Sequence, residues 1–216
     1  MCISRNGSTT SLKQRRYGVI YADPPWSFRN WSAKGTGRNA ISHYDCLSFR
    51  ALAALPVADL AADDCALFLW TVDPLLPRAF ELIEAWGFEY KTVGFYWAKL
   101  NSRPKNEADF FTGLGYWTRA NPEQCLLATR GSPRRRAKDV RRLIVDRRRE
   151  HSRKPDIVRE RIERLVKGPY LELFARETKP GWDCWGDQLA LFDNRGPVKT
   201  RRQPSSLVKD LPRPSA

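Results

Sequence analysis

A chain of 216 residues, 42% hydrophobic with 8 tryptophans, can bury about 70% of its unfolded surface as one domain, which excludes a disordered chain. Its longest apolar run, residues 65–70, falls far short of the roughly 20 residues of a membrane span, and the polar first residues carry no apolar leader; a cytoplasmic protein is expected. The net charge of +14 calls for a polyanionic partner, and its concentration in residues 130–154 favours nucleic acid over a membrane surface.

Residues 1–16 read as a polar N-terminal tail. Tyr17-Gly18-Val19-Ile20-Tyr21-Ala22 is β-branched and aromatic and stops at Asp23-Pro24-Pro25, the pattern of a buried strand. Residues 26–45 are rich in Gly, Ser, Asn and Arg without periodicity, a long loop of the kind that usually carries function. Ser48 is placed to cap a short helix that Pro56 ends. The unbroken apolar run of residues 65–71 predicts a strand covered on both faces. Leu76, Phe80 and Ile83 recur at helical spacing, and Gly87 supplies a stop.

Residues 88–99 and 123–129 read as the third and fourth strands, separated by an irregular stretch over 101–115. The basic run that follows includes Arg134, Arg135 and Arg136 and reads as a patch for nucleic acid. Pro155 suits the first turn of a helix whose apolar face is Val158, Ile162, Leu165 and Val166. Strands over 170–175 and 182–185 complete a domain spanning 17–190, and residues 191–216 form a Pro-rich, basic tail. Strands alternating with helices imply an α/β domain with a mainly parallel sheet. Ligands bind such sheets at the carboxyl ends of the strands, where Asp23 lies. Five scattered cysteines without a Cys-x-x-Cys pair read as reduced thiols, and no metal site is expected.

Asp23-Pro24-Pro25-Trp26 carries the chemistry. The N6 amine of adenine is a poor nucleophile because its lone pair is delocalised into the ring. Two acceptors for its N–H groups would draw it towards tetrahedral geometry; the Asp23 carboxylate and the Pro24 carbonyl are the candidates. Consecutive prolines lack N–H groups and fix φ, so the turn is rigid and free of competing donors. Trp26 offers a face for an extruded base, unless it is simply core.

With these residues in place, the chain resembles the MT-A-seventy family of adenine-N6 methyltransferases. The resemblance runs from Tyr17 to Gln188. It rests on Tyr21 to Trp26, His43-Tyr44, Phe68-Leu69-Trp70, Glu123-Gln124-Cys125-Leu126, His151 to Asp156, Glu172 to Arg176 and Gly186-Asp187-Gln188. It implies a Rossmann-like methyltransferase fold in permuted motif order, with the acceptor motif first and the cofactor motifs last. It also implies S-adenosyl-L-methionine as cofactor. Asp23 would face both the target amine and the methionine part of the cofactor, and Lys154 its carboxylate. Phe174 would lie against its adenine, Arg176 would reach the ribose, and Asp187 with Gln188 would hydrogen-bond ribose and adenine. Tyr44 would help place the target base. His151 is expected to position a loop, since the product ammonium loses its proton to water without a base.

Two other readings compete. Asp73 with Glu89-Tyr90-Lys91 has the rough spacing of a metal-dependent nuclease. A non-catalytic nucleic-acid-binding partner subunit is the other, although such a subunit would be expected to lack Asp23 or Trp26. DNA is favoured over RNA as substrate, and a homodimer or a related partner subunit is compatible with the chain.

Overall fold

Among the described residues, seven strands form one sheet with four α-helices distributed over its two faces. The computed structural model describes residues 16–26, 48–149, 153–186 and 189. In chain order the elements are β1 (Tyr17–Ala22), α1 (Phe49–Ala53), α2 (Val57–Leu60), β2 (Ala61–Thr71) and α3 (Leu76–Ala85). These are followed by β3 (Glu89–Leu100), β4 (Glu123–Arg130), β5 (Leu143–Arg147), α4 (Ile157–Leu165), β6 (Tyr170–Leu173) and β7 (Trp182–Trp185). The sheet order is β5-β3-β4-β2-β1-β6-β7. Both expected tails lie outside the described residues, apart from Arg16, whose guanidinium donates to the Ala61 carbonyl. Among the described residues no helix is long and apolar enough to cross a membrane.

The sheet is mainly parallel: β1 pairs in parallel with β2 and β6, β3 with β5, and β6 with β7. Strand β4 runs antiparallel to both β2 and β3. No helix lies between β3 and β4, and without a crossover two neighbouring strands can only reverse direction. One face carries Ile20, Leu67, Leu69, Val93 and Leu126 against Leu52, Val57, Leu82, Ile83 and Trp86 of the α1–α3 layer. The other carries Val19, Phe68, Trp70, Phe95 and Trp97 against Val158 and Ile162 of α4. The run expected to be covered on both faces is so covered. Cys65 and Cys125 are buried free thiols and Cys184 is half-buried.

Three boundaries and one whole strand differ from the sequence reading. Strand β2 begins at Ala61, because Asp63 and Asp64 are exposed strand residues that interrupt the apolar signal. Strand β5 was hidden inside the basic run: only Ile144 is buried, while Leu143 and Val145 of this edge strand are exposed. Helix α4 starts at Ile157 with Asp156 as its cap, so Pro155 stands just ahead of the first turn and accepts from the Val158 N–H. Strand β6 ends at Leu173, because Phe174 turns away with φ +61°.

The end of α3 is built as expected. Gly87 has φ +78°; its N–H donates to the Glu84 carbonyl (2.9 Å) and that of Phe88 to Ile83 (3.0 Å), the paired bonds of a left-handed helix stop. A Cβ at Gly87 would meet only the Ala58 Cβ at 3.7 Å, an ordinary contact, so strain there comes from φ alone. Gly87→Ala is expected to lower stability by about 1–2 kcal/mol, with Gly87→Asn losing less. Denaturant midpoints measure both, and an unchanged midpoint for Gly87→Ala would contradict the left-handed stop.

Candidate active site

Asp23 follows the last residue of β1, at the edge where the parallel strands end. Both of its carboxylate oxygens accept from the Lys154 ammonium, at 2.9 and 2.8 Å. Lys154 also reaches Glu123 at 3.3 Å, and Glu123 is held by Lys99 at 2.5 Å. The Arg176 guanidinium stands 3.7 Å from Asp23. Side-chain exposures of 10% for Lys154, 18% for Asp23 and 13% for Glu123 place the chain of charges largely out of water. Three cations and two carboxylates leave one positive charge in excess along this chain.

Burial works against the Lys154 ammonium, but the Asp23 and Glu123 carboxylates outweigh it and hold its pKa above the ordinary lysine value. Burial likewise works against a charged Glu123; Lys154 and Lys99 more than offset it and hold the carboxyl at about 2. Lys154 and Glu123 therefore both stay charged around neutral pH.

Pro24 is buried and its carbonyl accepts from the Trp26 N–H at 2.8 Å. A carbonyl has two lone pairs, so one acceptor position remains. Trp26 departs from the base-stacking expectation: it is only 7% exposed and packs in the core with Leu69 and Leu173. Its indole donates to the Trp70 carbonyl (2.9 Å), and the Trp70 indole donates to the Tyr21 hydroxyl (2.7 Å). Trp26 thus anchors the turn instead of offering its ring.

A cavity beside Asp23 is lined by Tyr21, Lys154, Glu172, Phe174 and Arg176, among others. Phe174 stands edge-on to Trp185, with ring centroids 5.8 Å apart. Gly186 is needed there, since a Cβ would lie 2.2 Å from the Ala175 carbonyl oxygen. On the cavity wall, Arg159 pairs with Glu172 and Glu177 (both 2.9 Å), and Arg153 with Glu177 (2.7 Å). Burial pushes the Glu172 carboxyl up to about 7, against the pull of Arg159.

Of the residues expected at the site, Asp23, Pro24, Pro25, Trp26, Lys154, Phe174 and Arg176 come together. Tyr44, Asp187 and Gln188, like His43 and His151, lie outside the described residues. Arg134, Arg135 and Arg136 are exposed but stand elsewhere. Arg136 donates its N–H to Leu165 and Arg135 bridges to Val166, at the far end of α4. About 14 Å of helix separates them from Asp156 and its neighbour Lys154. Much of the remaining basic run is used internally: Arg149 pairs with Asp146 and Asp156, and Arg148 lies 3.6 Å from the Phe111 ring centroid.

The nuclease reading fails on geometry. Asp73 accepts from Gln124, at the start of β4, whereas Glu89 aligns with Thr129 towards its end. Five strand residues, about 17 Å, keep these carboxylates from sharing a metal. Glu89 pairs instead with Lys91 at the surface.

Sequence reasoning assigned no role to Glu123 or Lys99. The available signal was a carboxylate opening an otherwise apolar strand, Glu123-Gln124-Cys125-Leu126, because a buried charge requires a partner. A carboxyl held at about 2 against an ordinary value of 4.5 contributes stability that is complete above the unfolded value and is lost as pH falls towards the folded one. The contribution is on the order of 3 kcal/mol. Glu123→Gln should therefore lose less stability than the parent between about pH 6 and about pH 3, measured by denaturant unfolding at each pH. Parallel loss in both proteins would contradict the double lysine clamp.

Residues 17–188 match the MT-A70 family. The type II methyltransferase M.MunI of a Mycoplasma species is 35% identical over 208 residues, covering 88% of this chain and 84% of the relative. The mouse N(6)-adenine-specific methyltransferase METTL4 is 30% identical, covering 83% of this chain and 39% of the relative. The N6-methyladenosine RNA methyltransferase MTA1 of Pyricularia oryzae is 30% identical, covering 83% and 48%. The chain thus spans less than half of these two eukaryotic relatives but most of M.MunI. With Asp-Pro-Pro-Trp at the end of β1 and the match extending through β7, the chain belongs to the MT-A70 family.

Proposed function

We propose that the chain transfers a methyl group from S-adenosyl-L-methionine to the N6 amine of adenine in nucleic acid. The observation that carries this reading is the Asp23 carboxylate at the end of β1, gripped through both oxygens by Lys154. An amino-acid zwitterion presents one ammonium and one carboxylate. Asp23 and Lys154 are a matched pair for those two ends.

Phe174 and Arg176, on the wall of the same cavity, would take the adenine and ribose of the cofactor, together with Asp187 and Gln188. Bound S-adenosylmethionine supplies a methyl group already activated by its sulfonium. The protein's work is then positioning and charge stabilisation. Asp23 and the remaining lone pair of the Pro24 carbonyl accept the two N–H groups of the target amine. The carboxylate gains most as positive charge develops on that nitrogen. Pro24 and Pro25 contribute no N–H that would compete for those acceptors, and Trp26 locks the turn to Trp70.

DNA is favoured over RNA, because the relative matched over most of both chains is a type II methyltransferase and not one named for RNA. Arg134, Arg135 and Arg136 would meet phosphates away from the target base, and Tyr44 would help seat it.

Asp23→Ala should slow single-turnover methyl transfer at saturating cofactor by on the order of a hundredfold or more. Asp23→Asn, which keeps a neutral acceptor, should fall between that variant and the parent, and EDTA should leave the parent active. Cofactor affinity is measured separately for each protein. Full single-turnover transfer by Asp23→Ala would overturn the mechanism.

A further inference from the structure

We propose that the loop over residues 110–119 is a stacking platform for an unpaired nucleobase of the nucleic-acid substrate, with Trp117 as its main contact. This rests on the nucleic-acid reading above. Trp117 is 92% exposed, and Leu114 beside it is 57% exposed. Trp117 also has φ +67°; the other described non-glycine residue with positive φ is Phe174, in the cavity beside Asp23. Beyond an edge-on contact with its neighbour Tyr116, ring centroids 6.4 Å apart, a tryptophan held left-handed and in water packs against little of the fold, and such outliers gather where function demands them.

The loop is built, not loose. The Gly113 N–H donates to the Ala120 carbonyl at 2.7 Å. A Cβ on Gly115 would lie 2.0 Å from the Thr118 carbonyl oxygen, so the turn closes only with glycine. Its base is tied to the active-site edge. Asn121 accepts from the Lys99 N–H (2.9 Å) and donates to the carbonyls of Lys99 (2.8 Å) and Phe111 (2.5 Å). The Lys99 ammonium holds Glu123, and so the Lys154–Asp23 pair.

The chemistry around Trp117 fits a strand of nucleic acid. Arg103, Lys105, Arg119 and Arg147 are exposed on the same edge, with Glu107 as the exposed carboxylate of the stretch. Behind the loop a groove of about 500 Å³ is lined by Tyr96, Phe110, Phe111, Arg119 and Leu143, among others. Aromatic rings between cations are the means by which single strands are held without regard to sequence. An enzyme acting on a base amine must take that base, or work beside it, outside the stack.

The test is binding, without cofactor, of a fluorescein-labelled single-stranded oligodeoxynucleotide and of its fully paired duplex, read by anisotropy. Trp117→Ala should weaken single-strand binding about tenfold or more, and Trp117→Phe should restore most of it. Duplex affinity and the salt slope should stay near the parent's, because stacking releases no counterions. Unfolding midpoints confirm that each variant is folded. Unchanged single-strand affinity in Trp117→Ala would overturn the proposal. So would conversion of a dimer to monomers by that substitution in light scattering, which would make the loop an interface between copies. Methyl transfer by the parent is assayed separately: transfer with no dependence of binding on Trp117 overturns only the platform, and Trp117-dependent binding with no transfer overturns only the proposed activity.

Discussion

The grip of Lys154 on Asp23, backed by Glu123 and Lys99, is the contact around which the rest is arranged. An isolated carboxylate at the end of a buried strand would be driven towards neutrality by desolvation. Asp23, Lys154, Glu123 and Lys99 alternate in sign, so each of the four groups faces one of opposite charge with little water between. Removing one partner of such a buried pair typically costs about 3–5 kcal/mol, because the remaining charge is stranded. The arrangement therefore fixes the Asp23 carboxylate in direction, as the proposed acceptor for a developing ammonium must be.

Sheet topology is what makes the chain of charges possible. Parallel strands deliver their carboxyl ends to one edge, and β1, β3 and β6 bring Asp23, Lys99 and Phe174 there. Strand β4 is antiparallel to its neighbours, so it delivers its amino end to that same edge. Glu123, its first residue, consequently meets Lys99 and Lys154. A parallel β4 would carry Glu123 to the opposite edge and leave Lys154 without its second carboxylate. The long connection from β3 to β4 must then cross the active-site edge, which is where Trp117 stands.

The elements legible in the sequence were those with an uninterrupted signal. Strand β1, the core of β2, the Ser48 cap, the Gly87 stop and the apolar face of α4 follow from local periodicity and turn chemistry. Strand β5 was not legible, because an edge strand buries one residue, Ile144, and arginines surround it. The antiparallel course of β4 depends on pairing across the sheet, which periodicity does not encode. At the site, Asp23 was read from its place after the first strand, and Lys154 from the resemblance. Glu123 and Lys99 were not, because a single buried ion pair leaves no periodic trace. Trp26 shows the opposite failure: an aromatic beside Asp23-Pro24-Pro25 looks like a platform, but its indole is committed to Trp70.

In the proposed reaction the charge chain presents an acceptor to the N6 amine of adenine. The most direct test is the identity of the product. The parent protein is incubated with methyl-labelled S-adenosylmethionine and with DNA or RNA of matched sequence, and the polymer is digested to nucleosides for mass analysis. The account predicts label in N6-methyladenine nucleoside, more from DNA than from RNA. Label confined to another base or another atom of adenine, or label absent from both polymers, would contradict it.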